Sequence, residues 1–125
     1  DWSSDVCSSD LWLLVLVPFA SALAEEPLAL NGDPVKGKDH FTLLCISCHG
    51  EKGDGNGAAA VALNPKPANF TDPAFWQTRD KAHIEKVIRE GGPAVGKSPL
   101  MAPFGARFSA QEISALADYL RTFKK

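Results

Sequence analysis

Apolar residues recur at helical spacing in several stretches of this chain, and most of those stretches open on a capping residue. Asn31-Gly32-Asp33-Pro34 reads as a helix start, with Asp33 as N-cap and Pro34 in the first helical position, where its missing N–H does no harm. Gly37, Phe41, Leu44 and Cys48 then fall at i, i+4, i+7 and i+11, which predicts one helix face running into Cys45-Ile46-Ser47-Cys48-His49. A glycine inside a helix costs about 1 kcal/mol relative to alanine. Gly37 therefore asks for the close approach of another helix. Thr71-Asp72-Pro73 repeats the cap-and-proline start for a short helix holding Phe75 and Trp76. A further helix is predicted from near Asp80 to Glu90, with Ile84, Val87 and Ile88 on one side and Gly91-Gly92 as its stop. Ser109-Ala110-Gln111-Glu112 is a capping box, and Ile113, Leu116, Ala117 and Leu120 follow at i, i+3, i+4 and i+7 as an amphipathic terminal helix.

The intervening segments are loops by composition. Gly50-Glu51-Lys52-Gly53-Asp54-Gly55-Asn56-Gly57 is too glycine-rich for regular structure, and Asn64-Pro65-Lys66-Pro67 forces extended backbone. From Gly91 to Gly105 the prolines and glycines exclude regular structure and leave a long loop around Met101. No segment alternates at period two and no repeat is present. The fold class is thus all-α, with three to five short helices and long loops. A core of this size, so interrupted, is marginal. A bound apolar group would supply the missing surface, and the form lacking it should be largely unfolded.

The chain has 125 residues, enough for one compact domain. Its formal net charge of −2 argues against a nucleic-acid partner. Leu11 to Ala20 is almost wholly apolar and is followed by Ala22-Leu23-Ala24, the small-x-small pattern of a secretory cleavage site. The run is roughly half the ~20 residues that span a bilayer. Residues 11–24 are therefore read as a signal-peptide core cut before Glu25, with an uncleaved anchor as the alternative. The expected location is periplasmic or otherwise exported, with no stable membrane span after cleavage. Residues 1–10 resemble a translated sequencing-adapter remnant, since the sole methionine is Met101 and the stretch carries three aspartates where a signal peptide should be positive. Removing residues 1–24 leaves 13 basic against 12 acidic side chains, with Cys45 and Cys48 the only cysteines. A cysteine pair exported to an oxidising compartment would ordinarily close a bridge. An export signal with one Cys-x-x-Cys-His fits covalent haem better than a free dithiol.

Cys45-Ile46-Ser47-Cys48-His49 has the spacing that attaches haem, each thiol adding across one vinyl group and His49 reaching the iron from one face. A zinc site would need a fourth ligand, and only His40 and His83 remain; a thioredoxin-like dithiol would need a βαβ pattern. Met101 sits in the proline-punctuated stretch Lys97-Ser98-Pro99-Leu100-Met101-Ala102-Pro103-Phe104-Gly105, where helix packing explains it poorly. Its thioether is the preferred sixth ligand, soft and neutral, and would raise the reduction potential. His40 and His83 are the alternatives. Trp76, Phe70 and Phe104 are candidates to line the pocket, against the plain reading that aromatics in a small domain are core. Arg79, Lys81 and Lys97 offer charge to propionates, against ordinary solvation. The glycine loop lacks the lysine of a P-loop and the remaining ligands of a calcium loop.

Taken in order, Cys45-x-x-Cys48-His49, Met101-Ala102-Pro103-Phe104 and the terminal Leu116-Ala117-Asp118-Tyr119-Leu120 resemble a class I monohaem c-type cytochrome across residues 25–125. The resemblance implies a cytochrome c fold, with long loops wrapped around one covalent haem c and the first and last helices packed crosswise, Gly37 and Phe41 against Leu116 and Tyr119. It also implies that a proline carbonyl, Pro65 or Pro67, accepts a hydrogen bond from His49. Ala102 departs from the many relatives that have proline directly after the ligand methionine. The implied function is one-electron transfer, not enzymatic by itself, between redox-protein donors and acceptors in a respiratory or dehydrogenase-linked chain. The alternative is a haem sensor or catalytic haem subunit with a displaceable sixth ligand.

Overall fold

The computed structural model describes residues 33–125, and the remnant and signal segments expected at 1–10 and 11–24 lie outside them. Five α-helices and two 3-10 turns make up the regular structure among the described residues, with no strand. Helix α1 spans Pro34–Leu44, capped by the Asp33 carboxylate, which accepts the Val35 N–H at 2.9 Å. The expected single helix through Cys48 is interrupted at Cys45, and Ile46–His49 forms a separate turn, α2. The Cys48 N–H bonds to the Cys45 carbonyl at 3.2 Å, three residues back, so the four-residue ladder skips the Leu44 carbonyl.

Three of the glycines after His49 have the positive φ that side chains disfavour: Gly50, Gly53 and Gly55. They turn the chain back so that the Gly55 N–H reaches the His49 carbonyl at 2.8 Å and the Gly57 N–H reaches the Cys48 carbonyl at 3.1 Å. The otherwise orphaned Cys48 and His49 carbonyls at the end of α2 are satisfied by this loop. A 3-10 turn over Ala58–Ala62 follows, beside α2.

Helix α3 covers Pro73–Gln77 under an Asp72 cap, and α4 covers Lys81–Glu90 under an Asp80 cap, both as expected. Gly91 ends α4 with φ +84°, and the expected irregular stretch beyond it contains a 3-10 turn at Gly92–Val95. Pro93 in its first turn explains the difference, because proline is compatible with a helical start. Helix α5, Ala110–Arg121, has both hydrogen bonds of its capping box, with the Glu112 N–H donating to Ser109 Oγ at 3.2 Å and the Ser109 N–H donating to Glu112 Oε2 at 2.8 Å.

α5 packs on α1 and on α4. At Gly37 a Cβ would land on the Ala115 carbonyl and 2.9 Å from Tyr119 Cβ, so the two chain-end helices touch backbone to backbone there. Ala115 thus takes the position expected for Leu116, which turns instead into the core with Phe41, Ile113 and Leu120. The Phe41 ring meets Tyr119 (5.6 Å) and Phe123 (5.2 Å), which also meet each other at 5.2 Å, a cluster of three rings. Burying a side chain of that size contributes about 1.5–3 kcal/mol.

Candidate haem site

Between this helix pair and the two long loops lies an apolar cavity of 510 Å³, within the range of small-ligand sites. Cys45, at the break, and Cys48 and His49 of α2 all line its wall. Met101 enters the wall from the distant loop. One cavity therefore holds two thiols, two imidazoles (His49 and His83) and a thioether, set in aliphatic and aromatic side chains. The donor set and the size both fit a haem. Among the described residues no three His, Cys, Asp or Glu side chains are grouped to hold a bare metal ion.

The His49 ring is fixed on two sides. Its Nδ1 lies 3.2 Å from the Ala68 carbonyl, and the ring stacks on Phe70 at 4.8 Å. A carbonyl can only accept, so the proton sits on Nδ1 and the Nε2 lone pair is left for a metal. Burial lowers the His49 pKa below its usual value, partly offset by the Ala68 hydrogen bond. The expected acceptor is Pro65 or Pro67, and the structure corrects this. Both prolines line the cavity, but the Pro67 carbonyl faces the glycine loop, 2.7 Å from where a Gly55 Cβ would stand, and the next carbonyl turns to the histidine.

Burial pushes the Cys45 thiol up to about 11, with a smaller contribution from Cys48. It is therefore protonated near neutrality and carries both the sulfur and the hydrogen that addition across a vinyl group consumes.

Met101 is held by the end of α4. The Met101 carbonyl accepts the Gly92 N–H at 2.8 Å, and a Cβ on Gly92 would collide with the Ser98 carbonyl. Further along, the Phe104 and Gly105 N–H groups donate to the Ile88 and Arg89 carbonyls at 2.9 and 3.0 Å. These are last-turn acceptors that a helix cannot satisfy itself. Gly91-Gly92, legible in the sequence as a helix stop, thus also seats the loop that presents the thioether.

Phe70 and Phe104 line the cavity. Trp76 does not: its indole N–H donates to the Phe70 carbonyl at 2.8 Å, which holds it one layer behind Phe70. His40 also faces away, toward Phe108 at 4.4 Å and Glu112 at 3.5 Å, whereas His83 does reach the wall. Of the expected cations, Arg79 and Lys97 line the cavity, while Lys81 is engaged by Asp118 at 2.7 Å. Lys66 lines it too, although nothing in its sequence context marks it. The Ala68 carbonyl is equally unmarked, since a main-chain acceptor has no side-chain signature.

The model of the Cytochrome c family matches residues 34–124. Cytochrome c-554(547) of Halothiobacillus neapolitanus is 32% identical over 99 residues, covering 74% of this chain and 99% of the relative. The Cbb3-type cytochrome c oxidase subunit FixP of Azorhizobium caulinodans is 36% identical over 87 residues, or 70% of this chain; the match spans only 26% of that subunit's length. Among solved structures, the KustC0563 c-type cytochrome superposes with a TM-score of 0.58 at 27% identity, over 71% of this chain and 98% of its own. A chain of the Kuenenia stuttgartiensis reducing HAO-like protein complex Kustc0457/Kustc0458 gives 0.60 at 28%, over 71% and 41%. With its helices matched from α1 to beyond α5 and its single Cys-x-x-Cys-His pair set in the cavity wall, the chain belongs to the cytochrome c family, a monohaem domain carrying covalent haem c through Cys45 and Cys48 for electron transfer.

Proposed function

We propose that this chain is an exported one-electron carrier in a respiratory or dehydrogenase-linked chain, with His49 and Met101 as the two axial ligands. The observation that carries this reading is that one apolar cavity gathers His49, with its Nδ1 proton engaged, and Met101, on a loop bonded to α4. Bound haem supplies the one-electron couple. The chain's own part is to hold still and to keep water out. His49 is oriented by Ala68 and Phe70, so its ring has nothing to rearrange when the charge changes. The Met101 thioether is neutral and soft, which favours the reduced state. The apolar lining excludes the water that would otherwise have to reorient at each transfer.

With His49 and Met101 both holding the iron, the chain would not be an enzyme by itself, and its partners would be redox proteins that dock transiently over small interfaces, below about 1,200 Å². Similarity to an oxidase subunit and to a component of a larger complex supports a role as one station among redox assemblies. No helix among the described residues is long and apolar enough to cross a membrane. Export rests on the segment at 11–24.

The rival reading is a haem sensor or catalytic haem subunit with a displaceable sixth ligand, and His83 in the same wall keeps it distinct enough to test. Carbon monoxide added to the reduced holoprotein at neutral pH should bind slowly and incompletely. Rapid, stoichiometric binding would overturn the carrier reading.

A further inference from the structure

Three residues, Thr78, Arg79 and His83, form a partition: they line the haem cavity on one side and, on the other, an open polar basin shared with Asp80 and Arg121. His83 is half-buried in the first turn of α4, where its main-chain N–H is fixed by Asp80 Oδ1 at 2.8 Å. Among the described residues of the cavity wall the only imidazoles are His49 and His83. His49 keeps its Nδ1 proton on the Ala68 carbonyl. His83 alone therefore joins two conditions, a place in the low-dielectric wall around the metal and a side open to water.

We propose that His83 takes up a proton as the haem iron takes up its electron, so that this carrier's one-electron step is coupled to a proton. Reduction lowers the charge in the cavity by one, and a cation in the wall is then less opposed, the more so because an apolar cavity screens poorly. The step balances as one electron from the redox donor and at most one proton from water in the basin, which neutral His83 accepts. Reoxidation returns both. The coupling is reciprocal, so a proton that follows the electron must also make the reduction potential depend on pH.

Several charged groups surround His83. Arg79 is fixed in the partition, its Nη1 donating to the Phe75 carbonyl at 3.2 Å and its guanidinium 4.6 Å above the Phe75 ring. Arg121 adds a second cation from α5, and Asp80 opposes them from the cap. On its own helix Lys86 lies one turn on from it, whereas Lys81 and Glu85 lie two residues to either side, round the helix, paired with each other and through Lys81 with Asp118. Lys66 and Lys97 stand farther round the cavity wall. Within this set of charges, loss of one positive charge at the iron is the change that favours a proton on His83.

The coupling rests on the electron transfer of the family and is independent of Met101 ligation. It is tested by spectroelectrochemical titration of the holoprotein from about pH 5 to 8, the range in which histidine changes charge, for the native chain, H83Q and H40Q. The native potential should fall as pH rises through this window, H40Q should keep that slope, and H83Q should lose most of it. A flat native profile, or a slope undiminished in H83Q, would overturn the proposal. A sulfur-to-iron absorption band absent from the native protein and present in H83Q would also overturn it, by making His83 a ligand; failure of the Met101 assignment shows instead in M101A.

Discussion

Gly37 is legible from sequence alone, because a helix tolerates an interior glycine only for a reason, and the reason is the Ala115 carbonyl against it. Gly37→Ala would gain up to about 1 kcal/mol of helix propensity. It would also force a methyl group into backbone that cannot yield, an overpacking cost of about 1–3 kcal/mol. The net prediction is a loss of up to about 2 kcal/mol in denaturant unfolding of the holoprotein, and a stabilised variant would show that α1 and α5 are not in contact there. Ala68 is the opposite case. Its carbonyl orients His49 although its side chain says nothing, and only the folded path past Pro67 reveals it. Trp76 misleads for a related reason: an aromatic residue near the cofactor is visible in sequence, but the hydrogen bond that turns it behind Phe70 is not.

Helix starts are the most readable elements, since Asp33, Asp72, Asp80 and Ser109 each accept the N–H that their type and position foretell. Ser109→Ala should cost about 1 kcal/mol of stability in denaturant unfolding, and an unchanged midpoint would show that the cap contributes nothing. The same cap gives a pH dependence. Hydrogen bonds from Ser109 hold the Glu112 carboxyl below its usual 4.5, so its contribution is full above that value and fades as pH falls through the lower, folded one. Chemical denaturation from about pH 5 to 3 should accordingly show a smaller loss of stability in Glu112→Gln than in the native chain; equal losses would mean the cap does not titrate. Less readable is the break at Cys45, because helical periodicity continues unbroken through Cys48 while the hydrogen-bond ladder does not. Gly92→Ala tests the seat of the Met101 loop: a side chain there meets the Ser98 carbonyl, so the variant should fold, attach haem and bind carbon monoxide faster when reduced. An unchanged rate would mean that the Gly92–Met101 contact does not hold the loop.

At the scale of the whole molecule, a 510 Å³ apolar cavity occupies the place where a domain of this length would need its core. The haem completes that core, and Cys45→Ala with Cys48→Ala, expressed without covalent haem, should show most of the far-ultraviolet helix signal lost. Retention of native helix content would separate fold from cofactor. The cavity's chemistry is visible in sequence as a pentapeptide and a lone methionine, but their convergence depends on loops whose glycines only the folded chain explains. What meets the iron opposite His49 decides between carrier and sensor. The near-infrared spectrum of the oxidised holoprotein should show the sulfur-to-iron band, and Met101→Ala should abolish it while the covalent haem remains. A band absent from the native protein, or a spectrum unchanged in the variant, would contradict a His49/Met101 electron carrier.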